Sequence, residues 1–262
     1  MISKNKLFDC YIGQGYYPTF TPSIVKNYVM LNPKWYTAYT PYQAEIAQGR
    51  LFILFNYQKL IRRITRMEVA NASLLDESSA AIEAVLMAVR LKGKRRRTVM
   101  IDQDCYQSNI DVVKSQLELL DYKVEVGRIT QQSIEQHSDD LIAVMLQNPD
   151  CNGEYSDLTE TISHIHSHKA MAVVGTDMLA GCVLKPVGEM GADIAFGYSQ
   201  RFGVPMGFGG PAAAFLTCKK KFMRQMPGRI ISRTDEGQYR MALQSREQHI
   251  RREKATSNIC TA

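Results

Sequence analysis

Apolar and polar positions alternate with two different periods along the chain from Thr98 onward. The segment TVMID and the continuous apolar run LIAVMLQNP predict strands, whereas YQSNIDVVKSQLELL has its apolar residues at the spacing of a helix. DLTETISHIHSH predicts a further helix with a polar face. Other short apolar segments predict more strands: KVEVG, AMAVVGTD, ADIAFGYS and AAAFLTC. Strands that alternate with helices in this way predict an α/β fold with a mostly parallel sheet.

Three of the predicted strands end in polar residues. These ends are Asn148-Pro149-Asp150, Asp177 and Ser199-Gln200-Arg201. In an open α/β sheet, ligands bind beside the carboxyl ends of the strands. The third end also lies in GYSQRFGVPMGFGGP, whose glycines allow the backbone to approach another group closely. If the strands are parallel, the three ends meet at one edge, and the sequence predicts a ligand site there.

The region before the sheet has a different character. Tyr11 to Gly49 is rich in aromatic residues, Pro and Gly, and its pattern predicts neither a regular helix nor a regular strand. We therefore divide the chain into an aromatic arm, residues 1–49, and an α/β domain, residues 50–262, which we expect to be incomplete at its C-terminal end. Aromatic residues at this density need burial, and we expect a neighbouring subunit to supply it.

Two helices are predicted between the arm and the first long strand. The segment IAQGRLFILFNYQKLIRRIT is apolar enough to pack on a core or on a partner. The second helix follows the short strand in EVANASLLDE. There Ser73 and Asp76 have the spacing of a helix cap, and acidic residues fill the first turn.

The composition favours a folded protein with a packed core and no membrane span. Hydrophobic residues make up 45% of the 262 residues, which is enough for a packed core. No apolar run approaches the ~20 residues that a membrane span needs, so we expect no membrane partner. The first residues lack the pattern of a signal or transit peptide. The six cysteines are scattered without a CxxC pair, which favours a reducing compartment.

The net charge of +6 is concentrated in two segments, KGKRRR and REQHIRREK. For the first we favour a solvated loop, with an acidic partner or nucleic acid as the alternatives, and we expect no nucleic-acid partner. The second alternates in sign and predicts a solvated helix. His164, His166 and His168 form H-x-H-x-H on a polar helix in mid-chain, and metal binding would need a further ligand, so we expect no metal site.

Several longer motifs resemble one family closely. They are YIGQGYY, NPKWYTAYTPYQAEIAQGR, VANASLLDE, SQRFGVPMGFGGP, MPGRII and QSREQHIRREKATSNICTA. Together they resemble the N-terminal half of glycine decarboxylase, the P-protein of the glycine cleavage system. The resemblance implies a fold like aspartate aminotransferase, pyridoxal-phosphate fold type I, with a large domain on a mostly parallel seven-stranded sheet. It also implies that a small C-terminal domain is absent from this chain.

The resemblance implies a function in two halves. The family uses pyridoxal 5'-phosphate to decarboxylate glycine and passes the aminomethyl group to lipoylated H-protein. Its catalytic half carries the Schiff-base lysine just before a Pro-x-Gly-x-Gly-Gly-Pro run, which here is residues 205–211. Counting back from Pro205 puts Gln200 at the lysine position, and counting forward from Asp193 puts Arg201 there. We therefore expect no catalytic residue on this chain and expect the cofactor on a lysine-bearing partner half.

The resemblance also indicates a vestigial cofactor pocket. Its expected residues are Ser73, Asp76, Glu77, Asp177, Gln200, Arg201, Gly209 and Gly210. The two acidic residues at the helix start would repel a phosphate by roughly 1 kcal/mol per pair at ~4 Å in water, and the leucines beside them would block it. Asp177 is a candidate for the acid that faces the pyridine nitrogen. A gap-free match, however, places Val174 there, so we favour a turn or a helix cap for Asp177.

The arm carries the other expected site residues. We expect its aromatic and hydroxyl side chains to complete the substrate pocket on the lysine-bearing half, with simple interface packing as the alternative for each tyrosine. Arg50 beside the arm would pair with a carboxylate or cap a helix. The set is Tyr16, Tyr17, Trp35, Tyr36, Thr37, Tyr39, Thr40, Tyr42 and Arg50.

The resemblance also implies the partners of this chain. They are the lysine-bearing half, lipoylated H-protein and glycine, in a dimeric or higher assembly, in the mitochondrial matrix or the bacterial cytoplasm. The rival hypothesis is a truncated, non-catalytic paralogue that acts only as an interaction or assembly protein.

Overall fold

The computed structural model describes residues 2–6, 8–35, 43–93, 95–209 and 212–242. Seven α-helices are present in this part of the chain: α1 (Ser23–Met30), α2 (Gln48–Thr65), α3 (Glu77–Lys92), α4 (Gln107–Glu118), α5 (Gln131–Gln136), α6 (Thr159–Ser167) and α7 (Ala180–Val183). Nine strands accompany them: β1 (Val69–Ala70), β2 (Thr98–Asp102), β3 (Lys123–Gly127), β4 (Leu141–Asn148), β5 (Met171–Thr176), β6 (Ile194–Tyr198), β7 (Ala214–Cys218), β8 (Ile230–Arg233) and β9 (Tyr239–Ala242).

Seven of the strands form one sheet in the order β1-β7-β6-β5-β4-β2-β3. The pairs from β3 across β2, β4 and β5 to β6 are all parallel. Strand β7 runs antiparallel to both of its neighbours, β6 and β1. The predicted α/β fold with a mostly parallel seven-stranded sheet is therefore confirmed.

The sheet is covered on both faces. All eight positions of β4 are buried, as expected of a strand with helices on either side. One hydrophobic cluster joins α3 and α4 to one face of the sheet, and a second joins α5 and α6 to the other. Phe196 and Phe215 belong to different clusters and are both fully buried. The domain therefore has three layers, and its polar residues collect at the two ends of the strands.

The strands β8 and β9 form a separate antiparallel hairpin that packs on α2. Two glutamine amides of the helix make the junction. Gln58 accepts a hydrogen bond from the backbone N–H of Ile231 at 2.7 Å and donates to its carbonyl at 3.0 Å. Gln48 makes the same pair of bonds to Tyr239, at 2.8 and 2.9 Å. Each amide thus bonds to the hairpin backbone as a neighbouring strand would.

The structure corrects one expectation for the arm. Its pattern predicted no regular helix, yet Ser23–Met30 forms α1. The helix has no buried residue, and Ile24 is 76% exposed. Its apolar side chains are therefore not part of the core of the domain. The segment REQHIRREK lies outside the described residues.

No helix in the described part of the chain combines the length and hydropathy needed to cross a membrane. The three histidines of H-x-H-x-H lie on or just after α6, and no group of three metal-ligating side chains occurs among the described residues.

Gly197 in the middle of β6 gives a test of the packing. A Cβ at this position would overlap the carbonyl oxygen of Thr176 and lie 2.9 Å from the Phe215 ring. We expect Gly197→Ala to lower the free energy of unfolding by about 1–3 kcal/mol because the core is already full. Gly127→Ala is the control, since it also lies in a strand but meets nothing within 4 Å. Urea unfolding measures both, and equal effects would contradict the packing argument.

Candidate functional site

The carboxyl ends of β4, β5 and β6 lie at one edge of the sheet, because the three strands are parallel neighbours. This is the edge that the sequence predicted for a ligand site. The structure brings two of the expected residues together there. Arg201 Nε lies 2.8 Å from Asp177 Oδ2, and the Asp177 side chain is only 9% exposed.

Asp177 has further partners. Its other carboxylate oxygen, Oδ1, accepts the backbone N–H groups of Leu179 and Ala180, both at 2.9 Å. These bonds make Asp177 the capping residue of the turn that begins α7. Both oxygens of the carboxylate are therefore engaged, one by the backbone and one by Arg201. The preferred interpretation of Asp177 as a turn or capping residue agrees with this geometry.

The arm of the same chain packs on this ion pair. The guanidinium carbon of Arg201 lies 3.3 Å from the centre of the Tyr17 ring, which is a close cation–π contact. The Tyr17 hydroxyl lies 3.2 Å from the hydroxyl of Tyr106. Gln200 Nε2 donates to the carbonyl oxygens of Tyr17 and Val204, both at 2.8 Å. The two residues at the expected lysine position thus hold the arm.

The YIGQGYY motif makes a tight turn over the start of α3. The backbone N–H of Tyr16 donates to the Gly13 carbonyl at 2.9 Å, and the Tyr16 ring meets Tyr198 edge-on at 6.0 Å. Gly15 has φ +88°, and a Cβ on it would lie 2.9 Å from the Tyr198 ring and 3.1 Å from Glu77 Oε2. Glycine is required here both for its backbone conformation and for the close approach.

The start of α3 differs from the cap that the sequence predicted. Asp76 is the N-cap, and its Oδ1 accepts the backbone N–H of Ser79 at 2.8 Å. Ser73 is not the cap: it lies before the helix with φ +81°, in the left-handed region. The correct cap is one turn later because the Ser-Leu-Leu-Asp segment first pairs with β7, through Leu74 and Ala214.

Glu77 follows the cap and is buried. Burial raises the pKa of Glu77 to about 8, and Asp177 and Asp76 add to the rise, while the amides of Asn109 and Gln147 act in the opposite direction. Asn109 Nδ2 donates to Glu77 Oε1 at 3.1 Å. Near pH 7 the Glu77 carboxyl therefore holds a proton. The raised pKa of Glu77 reduces its expected contribution to the repulsion of a phosphate, so Asp76 would supply most of it.

Other expected residues are less tied to this edge. Arg50 donates at 2.9 Å to the carbonyl oxygen of Trp35, the last residue of a short 3-10 helix (Pro33–Trp35), and lies 5.6 Å from the Trp35 ring centre, which agrees with the helix-capping alternative. Gly209 has φ +108° on a loop where a Cβ would meet nothing within 4 Å. The remaining expected residues lie outside the described part of the chain: Tyr36, Thr37, Tyr39, Thr40, Tyr42 and Gly210.

The sequence did not single out four residues that complete this edge: Tyr106, Asn109, Gln147 and Tyr198. One signal was available for the first two. They follow the end of β2, a strand whose carboxyl end also faces this edge. Gln147 and Tyr198 lie inside apolar strand patterns, and nothing in such a pattern predicts which residues a single polar side chain contacts.

A phosphate-bearing aldehyde cofactor would need several features at this edge. Such a group needs a lysine amine, a free helix N-terminus and space for a planar ring. Here the Arg201–Asp177 pair and the Tyr17 ring fill the centre, and Asp76 caps the helix. Lys185 and Lys219 bond instead to Asp157 and Asp193. The described residues do not fit the group.

The chain is similar to a known protein family over its whole length. The family model described as "Glycine cleavage system P-protein" matches residues 1–262. A protein of Cereibacter sphaeroides (strain KD131) named "Glycine dehydrogenase (decarboxylating)" is 51% identical over 99% of this chain and 27% of its own length. The mitochondrial protein of the same name from Solanum tuberosum is 48% identical over 100% of this chain and 26% of its own length.

Solved structures agree on the fold. A crystal structure of glycine decarboxylase (P-protein) in inhibitor-bound form has a TM-score of 0.87 and 38% identity, covering 97% of this chain and 59% of that one. A NifS-like protein, at 12% identity over 78% of this chain and 57% of that one and a TM-score of 0.55, shares the fold alone. The chain spans about a quarter of the length of the curated relatives it matches.

Glu77 gives a pH-dependent test of the site. Its pKa is about 8 in the folded chain and near the ordinary 4.5 when unfolded, so the folded state binds the extra proton between these values. The stability from this group is complete below about pH 4.5 and is lost as the pH rises through about 8. We expect Glu77→Gln to match the unmodified chain at pH 5 and to exceed it by a few kcal/mol at pH 8.5.

Urea unfolding at the two pH values measures this difference. The control is Glu154→Gln, because Glu154 is an exposed loop residue. We expect it to change stability by less than about 0.5 kcal/mol at either pH. An unchanged or lower stability of Glu77→Gln at pH 8.5 would refute the protonated state.

Proposed function

The chain belongs to the glycine cleavage system P-protein family, and on that premise we propose that it is the non-lysine half of a glycine decarboxylase. The complete assembly would decarboxylate glycine and transfer the aminomethyl group to lipoylated H-protein. The relatives named glycine dehydrogenase (decarboxylating) support this reading, since each is about 50% identical to the chain. In our proposal this half supports the reaction and is inactive alone.

We place pyridoxal 5'-phosphate on the lysine-bearing half. The observation that carries this placement is the 2.8 Å ion pair between Arg201 and Asp177, with Tyr17 stacked on it. The cation at the expected lysine position is already neutralised by the carboxylate at the end of β5. A guanidinium remains protonated in proteins and is a poor nucleophile, so it cannot replace a lysine amine. When bound on the other half, the cofactor would supply the electron sink for decarboxylation.

The arm has two parts in this proposal. Tyr16 and Tyr17 anchor it to the carboxyl edge of its own chain, through Tyr198 and Arg201. The following residues, from α1 to Trp35 and beyond, would reach the lysine-bearing half and exclude water from its substrate pocket. The exposed side chains of α1 support this reading, because Ile24 and Leu31 are 76% and 74% exposed. Covering such side chains favours association.

The division of the chain at residue 49 remains part of the proposal. The rival hypothesis, a truncated paralogue that acts only in interaction or assembly, predicts the same fold and the same arm. The two differ only in whether the chain adds activity to a lysine-bearing half.

A cofactor-binding experiment tests the placement. The chain is mixed with pyridoxal 5'-phosphate, passed through gel filtration, and its visible absorbance is recorded. We expect no retained band in the aldimine region because Gln200 and Arg201 cannot form the Schiff base. A band that persists and disappears on borohydride treatment would overturn the placement.

A mixing experiment separates the two hypotheses. The chain is added to a lysine-bearing half, and glycine-dependent carbon dioxide exchange is measured with lipoylated H-protein. We expect exchange well above that of the lysine-bearing half alone. An absence of any gain would favour the non-catalytic paralogue.

The arm anchor gives a third test in the same assay. We expect Tyr17→Ala to require about tenfold more chain for half-maximal exchange, since a partly buried cation–π contact contributes on the order of 1–2 kcal/mol. The control is Tyr122→Ala, which removes a cation–π contact of the same kind, with Arg97 at 5.2 Å, beside β3. Equal losses in the two variants would refute a specific role for the anchor.

A further inference from the structure

A second polar cluster lies at the opposite end of the parallel strands from the candidate site. Its centre is Asp193, which directly precedes β6 and has a side chain only 5% exposed. Asp193 Oδ1 accepts from Lys219 Nζ at 2.7 Å. Asp193 Oδ2 lies 2.7 Å from His166 Nε2 and accepts the backbone N–H of Ala172 at 3.0 Å.

Asp193 serves as a fixed anchor for the side chains of Lys219 and His166. Burial alone would raise the pKa of Asp193, but the hydrogen bonds from His166, Lys219 and Ala172 hold it below the ordinary value. The carboxylate is therefore charged at neutral pH, and its position is set by three bonds. Lys219 is held further by a 2.9 Å bond to the Gly191 carbonyl. Neither residue takes part in the proposed decarboxylase function.

A concave pocket of about 300 Å³ opens beside this anchor. Its charged and ring-bearing lining residues are Lys92, His166, Lys169, Asp193, Lys219, Lys221 and Phe222. Three of the lysines are not neutralised: among the described residues no carboxylate lies within ion-pair distance of Lys92, Lys169 or Lys221. With the Lys219–Asp193 pair close to neutral, the pocket carries a strong positive charge.

The KGKRRR segment contributes to the same surface. Lys92 is the last residue of α3, and Arg96 donates through one nitrogen to the carbonyl oxygens of Leu141 and His168, at 2.5 and 3.1 Å. These bonds fix the segment beside the end of α6, where Lys169 follows. Of this basic run, Lys92 lines the pocket and Arg96 is held by two carbonyl oxygens, while Arg95 and Arg97 are exposed, as the favoured solvated loop predicts.

We propose that this pocket is a binding site for a small phosphate-bearing anion. The ammonium groups come from the end of α3, the end of α6 and the segment after β7, and they converge on one concavity. A nucleic acid or an acidic protein surface would instead be matched by a broad stripe of charge. Lysine binds phosphate as a point charge, without the paired geometry that arginine imposes. The proposal does not depend on the decarboxylase function.

Calorimetric titration of the full chain with pyrophosphate tests the site. We expect saturable binding that weakens at least about fivefold in the double variant Lys92→Gln/Lys169→Gln, because each removed charge lies against the pocket. The matched control is Lys6→Gln/Lys26→Gln, which changes the net charge equally at exposed positions outside the pocket. We expect its affinity to stay within about twofold of the unmodified chain.

Two further measurements settle the outcome. Lys92→Arg/Lys169→Arg keeps both charges and should bind pyrophosphate within a few-fold of the unmodified chain, which separates loss of charge from loss of fold. An oligonucleotide duplex is titrated in parallel. No saturable binding of pyrophosphate, equal losses in the Gln variants, or tight binding of the duplex alone would each overturn the proposal.

Discussion

The burial of the parallel sheet on both faces is the constraint from which the rest of the structure follows. A strand such as β4, buried at all eight positions, has no place for a charged side chain along its length. In the strands between the two edges of the sheet, charged side chains therefore lie at the strand ends, whereas the exposed edge strand β3 carries Lys123 and Glu125. One end gathers Asp177 and Arg201, and the other gathers Asp193 with its lysines. The two polar clusters are consequences of the same layer architecture.

At the carboxyl edge, the charged side chains of the chain pair with one another. A partly buried aspartate needs a partner, and Arg201 supplies it at 2.8 Å. The guanidinium in turn packs on Tyr17, whose hydroxyl meets Tyr106. The charged groups of this edge pair with each other, and the Tyr17 ring packs on them. The edge is therefore suited to holding the arm in place. This arrangement agrees with a supporting role in a two-half enzyme.

The sequence predicted the strands of the sheet, the helices α2, α3, α4 and α6 and the edge at which the site lies, because these depend on periodic burial. It did not predict the short helices α5 and α7 or the β8–β9 hairpin. It missed α1, which has apolar residues without a core face, and it placed the helix cap at Ser73 in place of Asp76. The protonated state of Glu77 and the contact of Tyr17 with Arg201 depend on residues far apart in the chain. No local pattern contains that information.

The two glutamines of α2 have a consequence for the order in which the chain can fold. Gln58 bonds to a residue 173 positions later, and Gln48 to one 191 positions later. During synthesis α2 leaves the ribosome long before the β8–β9 hairpin exists. Both amides then remain hydrated until almost the whole described chain has emerged. Final docking of this helix is therefore a late event in the folding of the described residues, and its apolar face must be kept from other chains until then.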